Sequence, residues 1–209
     1  MPSLVAHSLV GAGVFIVAMP KVGTGSLFPM LWSKRREFLF FIIIANLPDF
    51  DMIMSLLLYS NGEAFHGLYS HSLFAALLLA LAASLIYPMG NRWKTFLASF
   101  ILMVFHDLMD FAASPNLRDP GTGIWLFFPL TERIASPFPL FFGVRHSSLE
   151  QLFSIHNLRT IGFEILIFGL IVFIIYSISK SIMMSGRIEG GEASDKCVEK
   201  DGKDANPEK

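Results

Sequence analysis

Apolar residues along the chain fall into long blocks separated by short polar runs, and the blocks approach the length of membrane spans. A helix crossing a bilayer needs about 20 apolar residues, fewer if it is partly buried in protein. Five segments come near this: 3–19; 37–58, broken by Pro48; 72–88, ending at Pro88-Met89-Gly90; 93–113, ending before Ser114-Pro115-Asn116; and 160–184, with "ILIFGLIVFIIY" at its heart. A further apolar stretch, 124–143, contains Pro129, Pro137, Pro139 and Gly143. Prolines at that density disfavour a regular helix, so this stretch reads as an interfacial or re-entrant loop. The pattern predicts an all-α, polytopic membrane bundle of about five transmembrane helices spanning residues 1–184.

Composition sharpens this picture. Of 209 residues 53% are hydrophobic and 21 are Phe, and the mean hydropathy of +0.56 lies outside ordinary soluble composition. A formal net charge of −1 gives no basic bias towards nucleic acid, and none is expected as a partner. Residues 186–209 carry seven acids and five bases with almost no large apolar residue, so 185–209 is expected to be a disordered, solvated tail. The one cysteine, Cys197, lies there, which excludes an intramolecular disulfide and a Cys-based zinc site. The N-terminal apolar run lacks a basic leader and an A-x-A cleavage signal, and is read as a retained helix.

Basic loops set the orientation. "SKRRE" (33–37), "NRWK" (91–94), Lys21, Lys180 and Arg187 are placed in the cytoplasm. The N-terminus and the loops 59–71 and 114–159 then face outward, with the C-terminus inside. This assignment ignores His and Asp, yet it gathers all six histidines on the outward side.

"FIIIANLPDFDMIMSLLL" (40–57) poses the chemical question, because Asp49 and Asp51 interrupt an apolar run. An unpaired carboxylate in hydrocarbon costs several kcal/mol. "PDFD" alone would suit a turn that breaks a span, and "FHGLYSHS" an ordinary polar loop in which Ser70 or Ser72 caps segment three. His7 alone would suit a helix end. "VFHDLMDFA" carries more weight: His106 and Asp110 are four apart and share one helical face. They can present a nitrogen and an oxygen to one cation. Asp107 points elsewhere and is expected in a salt bridge or interfacial contact. In "RHSSLEQ", His146 and Glu150 repeat the four-residue spacing. Divalent ions would neutralise these carboxylates. The donor set suits zinc, with Mn or Fe as alternatives. The candidate ligands are His7, Asp49, Asp51, His71, His106 and Asp110, with His66, His146 and Glu150 as a second tier. Their number implies two metals or three, at the outer membrane–water interface.

The motifs "AHSLVG", "NLPDFD", "FHGLYSHS" and "FHDLMDF", in this order over about the first 110 residues, resemble the YdjM family of LexA-regulated, membrane-bound metal-dependent hydrolases. The chain departs from the family pattern at Gly67, where an Arg is usual, and at Tyr69, where a Thr is common. The family is in turn similar to the zinc-dependent phospholipase C and P1-type nuclease group, helical enzymes with three zincs. Their His-x-x-x-Asp and later His-x-x-x-Glu pairs are similar to His106/Asp110 and His146/Glu150. The resemblance implies phosphoester hydrolysis on a lipid or lipid-linked substrate.

In that scheme water activated beside the metals attacks phosphorus, Asp49 or Asp51 takes its proton, and Arg118 or Arg145 holds a phosphate oxygen. Two other classes compete. A transporter or channel predicts polar residues across the full membrane depth. A scaffold glued by polar residues predicts indifference to metal stripping. An intramembrane metalloprotease is disfavoured, because no HExxH occurs.

Overall fold

A computed structural model describes residues 1–19, 27–64, 66–114 and 123–203. The fold is mostly helical. In chain order the helices are α1 (Leu4–Ala18), α2 (Leu27–Ser33), α3 (Arg35–Asn46), α4 (Phe50–Tyr59), α5 (Leu73–Ile86), α6 (Arg92–Phe111), the single turn α7 (Leu149–Leu152) and α8 (Ile155–Lys203). Two two-residue strands, β1 (Ala113–Ser114) and β2 (Phe141–Phe142), pair in parallel, Ala113 opposite Phe141.

Helix α3 lies at the centre, against α1 on one side and α6 on the other. Helix α5 covers α6, and α8 covers α1. The core between them holds Phe15, Phe41, Ile44, Ala76, Leu102 and Met103. Small residues allow the closest approaches. Gly11 of α1 sits over α3 so tightly that a Cβ there would lie 2.9 Å from the Phe41 carbonyl oxygen and 3.1 Å from Ala45 Cβ. On α5 the buried stripe is Ala76, Ala80, Ala83 and Ser84.

Residue chemistry sets the helix starts. The Ser3 hydroxyl accepts the Ala6 N–H, Ser72 accepts the Ala75 N–H, and Asn91 accepts those of Trp93 and Lys94. Ser72, rather than Ser70, caps α5. Glu164 of α8, itself buried, accepts both the Ser3 N–H (2.9 Å) and the Ser3 hydroxyl, which locks the start of α1 to α8.

Segment two is two helices, α3 and α4, bent by 60° at Leu47-Pro48-Asp49. Pro48 has no N–H and cannot continue the α-helical ladder. The chain turns instead through tighter bonds: Leu47 N–H to Ile44 O, Asp49 N–H to Asn46 O and Phe50 N–H to Leu47 O, at 3.2–3.3 Å. The Ala45 carbonyl, which an unbroken helix would give to the Asp49 N–H, is thereby released.

Helix α8 is long and apolar enough over Ile155–Ile182 to cross a membrane, and α3 with α4 pass the same criterion as one bent span. Its side chains stand outward: Leu166 is 69% exposed, Phe173 64% and Ile182 67%. A helix apolar on all faces and unpacked on most of them matches lipid. Helices α1 and α5 are apolar but only 15 and 14 residues long. Helix α6 carries Arg92, Lys94, Asp107 and Asp110, too many charges for a simple span. The five-span expectation therefore narrows to one clear span and one bent candidate. Residues 123–143 form no helix; they contain an isolated Ile124–Ile134 bridge, turns and β2. The backbone of α8 is helical through Lys203. Residues 204–209 lie outside the described residues.

Replacing Gly11 by Val should cost about 1–3 kcal/mol by overpacking the α1–α3 contact. Gly162 of α8 has no neighbour within 4 Å of an added Cβ. Its Ala variant should match or slightly exceed the parent, and thermal unfolding in detergent would compare the two.

Candidate metal centre

Four separate elements bring their polar groups to one buried point. Helix α1 contributes His7, the α3–α4 break Asp49, the residue before the α5 cap His71, and α6 the pair His106 and Asp110. Their exposures are 1%, 0%, 0%, 1% and 5%. Within this pocket Asp110 lies 2.9 Å from His71 Nε2, 3.4 Å from His106 Nε2 and 3.4 Å from His7 Nε2. Asp49 lies 3.5 Å from His106 Nε2, 3.6 Å from His71 Nε2 and 3.9 Å from His7 Nε2. The rings of His7 and His106 stack at 3.8 Å.

Both oxygens of Asp49, both of Asp110 and His7 Nε2 are buried, and among the described residues they have no hydrogen-bond partner beyond these mutual His–Asp contacts. The His106 Nε2 and His71 Nε2 atoms face each other at 3.2 Å. In the neutral imidazole only one ring nitrogen carries a proton. His106 Nδ1 sits 2.8 Å from the Ala45 carbonyl released by the Pro48 break. Its proton is thus held on that side, and the Nε2 lone pair turns into the pocket. Fixing the tautomer from outside is how metal-binding histidines are commonly oriented.

Asp51, one helical step further, is less enclosed. It accepts from the Ser70 hydroxyl and from His66 Nδ1–H (2.9 Å), and lies 3.3 Å from His71 Nδ1. Ser70 Oγ is also 3.1 Å from His71 Nδ1. Asp51 and Ser70 therefore brace the outer edge of the His71 ring while its inner nitrogen faces Asp110.

Two overlapping groups have one ligand atom per residue, all within 4.8 Å of one another: His7, Asp49, His106 and Asp110, and Asp49, His66, His71 and Asp110. Oxygen and imidazole donors, unpartnered and buried, fit a divalent cation, and the cluster can hold one. Seven of the nine sequence candidates thus meet at one place.

The remaining two belong to neither donor group. Ser148 caps α7 by accepting the Gln151 N–H (3.3 Å), so the helix starts after His146. The four-residue spacing of His146 and Glu150 is therefore not helical, and Glu150 is exposed. His146 is buried, with Nδ1 3.2 Å from the Val144 carbonyl, Nε2 unpartnered and its ring 4.9 Å from that of His66. Burial, reinforced by His66, pushes its pKa down to about 4 and keeps it neutral. Asp107 also departs from expectation. It is fully buried, and among the described residues it has neither a salt bridge nor a hydrogen-bond partner. Arg118 lies outside the described residues, and Arg145 is exposed, its backbone N–H on Asn157.

Three contributors escaped the sequence reading. Ser70 reads in the sequence only as a cap candidate, and the roles of Arg133 (whose guanidinium donates to the His66 carbonyl at 3.1 Å) and of the Ala45 carbonyl are not among its expectations. Pro48 was the available signal for the last.

The fold and site define a helical membrane protein with a buried histidine–aspartate cluster suited to a divalent cation. The family model for the YdjM inner membrane protein matches residues 1–186, and the chain belongs to that family. No curated protein and no solved structure matches it.

Purified protein should carry at least one divalent ion per chain by elemental analysis, and His106→Ala should lose most of it. Pro48→Ala, which lets the helix reclaim the Ala45 carbonyl, should weaken metal affinity about tenfold or more, as loss of an orienting hydrogen bond does elsewhere. Unchanged affinity would show that the break does not orient His106.

Proposed function

We propose that the protein is a membrane-bound metal-dependent hydrolase that cleaves a phosphoester bond in a lipid or lipid-linked substrate. The observation that carries this reading is the set of four buried, unpartnered carboxylate oxygens of Asp49 and Asp110 facing three imidazoles. A structural site needs only four donors. Here two donor groups share Asp49 and Asp110, which supports two neighbouring zinc ions, with Mn or Fe suited to the same ligands. When bound, such ions supply Lewis acidity and water activation near neutral pH.

In this reading His7, Asp49, His71, His106 and Asp110 hold the metals, and His66 completes the second group. Asp51 takes the proton, because it is the carboxylate at the less buried edge and Asp49 is enclosed by imidazoles. Ser70 and His66 orient Asp51 through their hydrogen bonds, and Arg133 steadies His66. Helices α1, α3–α4, α5, α6 and α8 cross the membrane with the N-terminus outside, which sets the cluster at outer headgroup depth.

The test is hydrolysis of phosphodiester and phosphomonoester reporters by the metal-loaded full chain. Asp51→Asn should lower kcat by about 10²–10⁴-fold with metal content kept. No turnover of either reporter, or an undiminished variant, would contradict the reading.

A second reading, an ion or proton path, draws on α6, where Ser99 Oγ and both Asp107 oxygens are buried and unpartnered. It predicts flux in proteoliposomes that Asp107→Asn abolishes while reporter hydrolysis is unaffected.

A further inference from the structure

Away from the cluster, the outer faces of α3 and α5 leave an apolar groove of about 520 Å³ between them. Phe40, Ile43 and Leu47 line it from α3, and Ala82 and Tyr87 from the α5 side. Arg36 is the only charged residue along it, and it stands at one end, in the first turn of α3. It is exposed, and among the described residues it has no ion-pair partner. Its neighbours on the chain are engaged: Lys34 pairs with Glu37 at 3.4 Å, and the Arg35 guanidinium lies 5.3 Å from the centre of the Trp32 ring. Tyr87 stacks on Phe40 at 5.1 Å, which brings the α5–α6 turn, with Arg92 and Lys94 beyond it, to the same end. Trp32 and Trp93 are both 65% exposed. Exposed tryptophans beside lysine and arginine mark the headgroup level of a membrane protein.

We propose that this groove is a binding site for one anionic phospholipid, with an acyl chain lying along α3 and α5 and the phosphate paired with Arg36. An exposed apolar groove in an inner-membrane protein meets acyl chains, so the chain itself gives little selectivity. The selectivity comes from the guanidinium at its mouth, which pairs with a phosphate and favours a headgroup of net negative charge over a zwitterionic one, whose own cation offsets the phosphate. Ten residues of α3 separate Arg36 from Asn46, a rise of about 15 Å. A phosphate held at Arg36 is therefore out of reach of Asp49 and Asp51. The site is separate from the metal centre and does not depend on the hydrolase reading. Because the groove runs along α3 to Leu47, next to the Pro48 break, its lipid supports the helix that leads into the break at Asp49.

Native mass spectrometry of the full chain in detergent, with phosphatidylglycerol or phosphatidylcholine added, tests this. One Arg near an anionic headgroup should favour phosphatidylglycerol about fivefold. Arg36→Gln should bring the two lipids close to parity, and Lys34→Gln should leave the preference in place. Ala82→Phe, which fills the groove from an exposed position, should lower retention of both. Equal retention of the two lipids by the parent chain would overturn the proposal. So would an undiminished preference in Arg36→Gln, or full retention in Ala82→Phe.

Discussion

The structure depends on one electrostatic constraint. Asp49 and Asp110 are enclosed by helices, and among the described residues their four oxygens have no hydrogen-bond partner beyond the surrounding imidazoles, His71 Nε2 lying 2.9 Å from Asp110. An ionised carboxylate removed from water without such bonds is strongly disfavoured unless positive charge stands beside it. Among the described residues, the groups close enough are the imidazoles of His7, His71 and His106. Three imidazole nitrogens around two carboxylates leave a donor-lined space that a divalent cation can occupy.

Several local features serve that constraint. Pro48 does two jobs at once: it turns the chain so that Asp49 faces inward, and it releases the Ala45 carbonyl that holds the His106 proton away from the pocket. Gly11 lets α1 settle against α3, which brings His7 within reach of Asp110. Glu164 bonds to Ser3 and fixes the start of the same helix. The outward apolar side chains of α8 match lipid, and in hydrocarbon an uncompensated carboxylate would be most costly.

Much of the site was legible in the chain because its signals are local. A His and an Asp four apart on an apolar helix must share a face, and a Pro-Asp pair inside an apolar run must break it. Where a signal depended on assuming a helix, it failed: His146 and Glu150 have the spacing, but Ser148 starts α7 between them. Contacts between elements were not legible. Nothing in the spacing says that Ser70 reaches Asp51 or that Arg133 reaches the His66 carbonyl, 67 residues away. The helix list was less complete than the chemistry. Helix α2 occupies what read as a loop, and segment two is two helices because the 60° bend follows from backbone bonding rather than from hydrophobicity. The charges of α6 that keep it from reading as a simple span include Asp110, a residue of the site itself.

Anomalous scattering from crystals of the full chain, measured on both sides of the zinc absorption edge, tests the central claim most directly. The account predicts peaks among His7, Asp49, His71, His106 and Asp110. An experimental structure that keeps these residues together around a pocket without anomalous density, from protein prepared with zinc present, would contradict it.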